Sequence, residues 1–163
     1  MGYIDPLGLV EGSPSNVAKR NAIAAWALKQ NGASSFGYYS NYSPQYPSGS
    51  YKCSAFTCAA AAAAGAPTAV KIPGRRGECP TAAELSNGHI PNWRKLRPYE
   101  QTAPGDIASI AKGGDGFTGH AAILVMTASR SVSSIGAHGN IVGPVGADNF
   151  GYDSVVFSRY TGD

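Results

Sequence analysis

The stretch from Tyr51 to Gly65 constrains the fold most. It reads Tyr-Lys-Cys-Ser-Ala-Phe-Thr-Cys, then six alanines and a glycine. Ala59 to Ala64 are the strongest helix formers available, and Gly65 is suited to end the helix they make. The preceding Asn41 to Ser50, with Pro44, Pro47 and Gly49, is turn-rich and delivers the chain to Cys53. The pattern predicts a helix with Cys53 in its first turn and an alanine face small enough to lie close on a sheet. Unpaired backbone N–H groups and the helix dipole favour an anion at such a position, so the expectation is a thiol of lowered pKa, a nucleophile.

Three cysteines, Cys53, Cys58 and Cys79, cannot all pair within one chain, so one thiol is left over. Cys53 and Cys58 are poorly spaced for a bridge on one helix. Cys58 and Cys79 are far enough apart in sequence to meet, but two ordinary buried thiols are the commoner fate and the expected one. The spacing lacks the paired Cys/His knuckles of zinc sites, and no metal is expected.

With 163 residues and 43% hydrophobic content, the chain has room for one domain with a proper core. The net charge of +3 is scattered, with no basic block beyond Arg75-Arg76 and Arg94-Lys95, so no nucleic-acid partner is implied. No run approaches a membrane span, and the N-terminal residues lack the basic-then-apolar pattern of a signal peptide. A role outside the cytoplasm would therefore need a carrier. A monomer is expected.

Ser13-Pro14-Ser15-Asn16 offers helix-capping residues, and Val17 to Gln30 carries Val17, Ile23, Ala24, Trp26, Ala27 and Leu28 at amphipathic spacing, closed by Asn31-Gly32. Trp26 is expected in the core. Ala33 to Ser50 is a long loop holding Tyr38, Tyr39, Tyr42 and Tyr46, either a substrate groove or a wrapped loop. Thr81-Ala-Ala-Glu84 is a capping-box pattern opening a short helix that stops at Asn87-Gly88. A connector with His89 and Trp93 leads to Ala103-Pro104-Gly105. Strands are predicted over Asp106–Ala111, Gly119–Thr127, Ser131–Ala137 and Ser154–Tyr160, with a hairpin-type turn at Gly113 to Gly116. Helices first and antiparallel strands later make an α+β chain with the helices on one face of the sheet.

His120 opens the strongest strand, and a thiol nucleophile needs such a base together with a third group to orient it. Alone, a histidine after a glycine is as readily a turn residue. Four pieces in order change the reading. The helix at 17–30 with Gly32 and Tyr38-Tyr39 is followed by Cys53-Ser54-Ala55-Phe56, then by Thr81-Ala-Ala-Glu84 with Pro104-Gly105-Asp106-Ile107, and finally by Gly119-His120-Ala121-Ala122-Ile123. This series resembles the NlpC-type papain-like amidases, cysteine peptidases of peptidoglycan stem peptides that overlap the CHAP amidases in fold. Ala55 departs from that family's usual glycine. The resemblance implies a papain-like fold, Cys53 as nucleophile, His120 as base and a polar third residue further on. His138 is that candidate, with Asn140 and Ser134 as competitors. Tyr38 and Tyr39 become candidate substrate-binding residues, and the chemistry needs no cofactor.

A second resemblance lies at the start. Tyr3-Ile-Asp-Pro-Leu-Gly-Leu9 looks like the end of the core in Rhs-repeat proteins, shells that release a variable C-terminal toxin by cutting after the final leucine of that motif. It implies cleavage after Leu9, a linker over residues 1–9 and a toxin domain over 10–163, with the Rhs shell as carrier. Together the resemblances imply a secreted effector, delivered through type VI secretion, that hydrolyses stem-peptide amide bonds in the periplasm of a target bacterium. The expected bond joins D-glutamate to diaminopimelate, and the producer would hold a cognate immunity protein. Two other classes stay open: a Cys/His toxin modifying a cytosolic protein, as deamidase, transglutaminase or acyltransferase, and a binding module that keeps the frame without turnover.

Overall fold

The computed structural model describes residues 13–68, 79–112, 118–145 and 155–162. Three helices, α1 (Pro14–Lys29), α2 (Cys53–Ala63) and α3 (Ala82–Asn87), precede the six strands β1 (Trp93–Lys95), β2 (Ile107–Ile110), β3 (His120–Met126), β4 (Val132–His138), β5 (Ile141–Pro144) and β6 (Val156–Tyr160). The strands form one antiparallel sheet in the order β1-β6-β2-β3-β4-β5. The chain is thus α+β, with its helical half first. The Tyr3–Leu9 motif, Arg75-Arg76 and the Gly113–Gly116 turn lie outside the described residues.

Local chemistry explains the helix ends. Pro14 opens α1, where its fixed φ and missing N–H cost nothing. Gly65 follows α2 with φ +70, and its N–H bonds back to Ala62. Thr81 and Glu84 form the reciprocal capping box of α3, the Thr81 hydroxyl accepting from Glu84 N–H and the Glu84 carboxylate from Thr81 N–H. Two strands escaped the sequence reading. β1 has three residues and β5 four, too short for alternation to show, and both are sheet edges. Trp93, expected in a connector, is buried in β1 with its ring 5.5 Å from that of Tyr160.

The main core lies between helices and sheet. Strand alternation sends Ala121, Ile123 and Val125 of β3, with Ile135 and Ala137 of β4, toward Phe56, Ala60 and Ala61 of α2 and Ile23 and Ala27 of α1. Trp26 packs against this core, its ring centroid 6.2 Å from Phe36 and 5.8 Å from Phe56. The other sheet face has a smaller cluster of Ala108, Ile110, Ala122, Leu124 and Val145.

A buried ion pair ties β6 to β2. Arg159 donates from Nε to Asp106 Oδ1 at 2.9 Å and from Nη2 to Oδ2 at 2.7 Å, while Ala103 N–H donates to the same carboxylate at 2.8 Å. Both side chains are nearly inaccessible to water. Leaving either charge without the other inside the fold is expensive. Asp106→Asn and Arg159→Met should each lower stability by about 3–5 kcal/mol, seen as an earlier urea midpoint at unchanged slope. A loss under about 1 kcal/mol would mean that the pair does not hold the strands together.

Candidate active site

Cys53 is the first residue of α2, with Lys52 at the N-cap. The backbone N–H groups of Ala121, Ser54 and Cys53 itself lie about its sulfur and favour the thiolate. Ala121 immediately follows His120, so packing α2 on β3 brings the thiol to within one residue of the imidazole along the strand. Gly119 makes that approach possible from the other side. Its φ is +147, and a Cβ there would collide with the carbonyl of Ile110 on β2.

β3 and β4 pair with Ile123 opposite Ile135. Following that register back to the start of β3 sets His120 beside His138, and the rings stand edge to face with centroids 6.3 Å apart. The competing third residues are placed differently. The Ser134 hydroxyl donates to the Val145 carbonyl at 2.6 Å, and Asn140 is exposed in the β4–β5 turn with its carbonyl close over Gly37. His89 is exposed in the segment between α3 and β1. The structure therefore sets His138 beside His120, whose strand neighbour Ala121 lies by Cys53, and it commits the Ser134 hydroxyl to Val145.

The electrostatics correct the expectation of a ready-made thiolate. Cys53 is only 7% exposed, and burial pushes its thiol up from the ordinary range although three backbone N–H groups pull it down. Burial, helped by the neighbouring charge of His138, takes His120 down to about 4. Desolvation outweighs the helix terminus here because it acts on the whole charge, whereas the dipole supplies only partial charges. Burial thus favours the neutral form of both groups.

The tyrosine loop runs beside the turn that follows His138. Tyr38 stacks between Tyr39, at a centroid distance of 5.1 Å, and Tyr51, at 4.9 Å, and Tyr39 is 73% exposed. Tyr38 N–H donates to the Gly139 carbonyl at 2.8 Å, beside His138, while Gly32 and Ala33 exchange backbone bonds with Val142 of β5. Gly37 is required at the crossing, since a Cβ there would strike the carbonyl of Asn140. Tyr42 and Tyr46 turn elsewhere, with Tyr42 against Phe36 at 4.7 Å and the Tyr46 hydroxyl bonded to Ser54 Oγ at 3.1 Å.

Cys58 and Cys79 form a disulfide, against the expectation of two separate thiols, and Cys53 is the free cysteine. The bridge lies in the wall of an open cavity of about 270 Å³ with Tyr42, Tyr46, Ala55 and Ala59. Cys53 is not part of that wall, so this cavity and the candidate chemistry occupy different places. The sequence reading also missed Tyr51 and Lys52. Their position directly before Cys53 was the available signal. Among the described residues, no group of three or more His, Cys, Asp or Glu is arranged to hold a metal ion, and no helix is long and apolar enough to cross a membrane.

Compared with family models, curated proteins and solved structures, the chain has no match.

His120 also makes stability depend on pH. Its folded pKa, about 4, lies below the 6.5 of an ordinary histidine, so its contribution is complete above pH 6.5 and is lost as pH falls toward 4. The loss should reach roughly 3 kcal/mol. Replacing His120 with Gln should flatten this part of the stability curve in urea melts between pH 7 and 4. Parallel curves for the two proteins would show that His120 titrates normally in the fold.

Proposed function

We propose that the chain is a cysteine amidase of the NlpC type with a papain-like arrangement, cutting peptidoglycan stem peptides. The observation that supports this most is the placement of the Cys53 sulfur at the first turn of α2, by the backbone of Ala121, the residue after His120. A free thiol, an imidazole one residue along the facing strand and the first-turn N–H groups of α2 are the parts that acyl transfer requires.

In the proposed reaction, His120 takes the thiol proton as the sulfur attacks the substrate carbonyl. The oxyanion develops near the N–H of Cys53. Collapse breaks the C–N bond, and His120 gives its proton to the departing amine. Water, deprotonated by the same imidazole, then cleaves the thioester and restores the thiol. His138 helps hold His120, and the wall of Tyr38 and Tyr39 receives the substrate.

By resemblance, the bond is that between D-glutamate and diaminopimelate, and the domain is the toxin cargo of an Rhs shell, delivered through type VI secretion and restrained in the producer by an immunity protein. The Cys58–Cys79 bridge supports action in the periplasm, because such bonds persist in oxidising compartments and are reduced in most bacterial cytosols. That same feature weighs against the alternative, a Cys/His enzyme modifying a cytosolic protein.

Purified protein and its Cys53→Ala variant, incubated with Gram-negative sacculi, provide the test. Wild type should release new muropeptide fragments, identified by chromatography and mass spectrometry, and the variant should lose at least a thousandfold of that rate. Intact sacculi, together with Cys53-dependent killing confined to cytosolic expression, would replace the cell-wall reading with the protein-modifying one.

A further inference from the structure

Lys52 breaks a local rule. It occupies the N-cap of α2, where the helix dipole disfavours a cation and where Ser, Thr, Asp or Asn would satisfy a free N–H. No acidic residue lies in the first turn to offset it. The residue is nonetheless only 2% exposed. Burying an ammonium is costly unless its donors are all used, so the side chain must serve something other than the helix.

Its ammonium lies in a nest of oxygens. Nζ donates to the carbonyls of Ser50 at 2.9 Å, Pro47 at 3.1 Å and Tyr38 at 3.2 Å, with the Ser50 hydroxyl at 3.4 Å. The Tyr38 carbonyl also accepts from Gly49 N–H at 2.8 Å, and the same residue's N–H donates to Gly139, next to His138. One continuous path of bonds therefore runs from the residue before Cys53, through the backbone of Tyr38, to the turn that carries His138.

We propose that Lys52 is a positioning residue that clamps the tyrosine wall and the His138 turn onto the nucleophile's helix. The proposal deepens the thiol amidase reading and rests on it for any effect on turnover, whereas the clamp itself is a structural claim. Lys52 touches no reacting atom. It acts by fixing where Tyr38, Tyr39 and His138 stand relative to Cys53. Burial lowers its pKa, yet the three carbonyls still receive its N–H bonds.

The test uses Lys52→Met, which keeps the length of the stem and removes every donor, with Lys52→Gln as a milder variant should Met prevent folding and Lys52→Arg as the conservative replacement. Amide hydrogen exchange is followed at Tyr38, and Cys53 alkylation by iodoacetamide is timed, in protein whose circular dichroism matches wild type. The clamp predicts at least tenfold faster exchange at Tyr38, a severalfold change in alkylation and partial recovery in Lys52→Arg. On sacculi, turnover should fall about tenfold with KM little changed. Exchange and alkylation within twofold of wild type in a folded Lys52→Met or Lys52→Gln protein would overturn the clamp. Sacculi left intact by the wild type would instead count against the amidase reading, with exchange still deciding the clamp.

Discussion

The close seating of α2 on β3 is the contact on which the rest of the molecule depends. Larger side chains at the contact would hold the helix further from the strand. Here Ala60 and Ala61 are fully buried against a strand whose inward residues begin with Ala121, also fully buried. Small residues on both sides let the first turn of the helix come near enough for the Cys53 sulfur to lie by the backbone N–H of Ala121 on the strand. The alanine run is thus a spacing device as well as a helix former. The aromatic cluster of Trp26, Phe36 and Phe56 fills the volume that the alanines leave on the α1 side.

That same closeness sets the electrostatics. A thiol at an exposed helix end would be acidified by the terminal N–H groups. Pressed against the sheet, it loses more from desolvation than it gains from them, and His120 is driven the opposite way for the same reason. The two shifts move the proton affinities of Cys53 and His120 apart. The buried Asp106–Arg159 pair anchors β2, the strand against which Gly119 and His120 are laid, and so fixes the far side of the site.

The start of α2 was legible because alanines and a terminal glycine leave few alternatives, and the capping box at Thr81 because two side chains spaced three apart satisfy each other locally. His120 could be placed on a strand by the apolar run behind it. Its neighbours could not. The pairing of His138 with His120 depends on how β3 and β4 are registered across a hairpin, which spacing alone does not give. The acidity of Cys53 depends on burial, a property of the whole fold, and the helix-end rule pointed the wrong way. The Cys58–Cys79 bridge depends on where the segment before α3 returns, and the prior for cysteine favoured separate thiols. Nothing in the sequence marks Lys52, since its acceptors are carbonyls of a loop whose path no pattern predicts.

The central claim is that Cys53 carries the acyl group of the substrate. Intact-protein mass spectrometry tests it most directly, on wild type mixed with purified Gram-negative disaccharide-tetrapeptide muropeptides and quenched in acid within the first turnover. The expected product is an adduct with the mass of the D-glutamyl fragment, mapped by digestion to Cys53 and absent in Cys53→Ala. Cleavage of the muropeptides without that adduct, and undiminished in the Cys53→Ala protein, would contradict it.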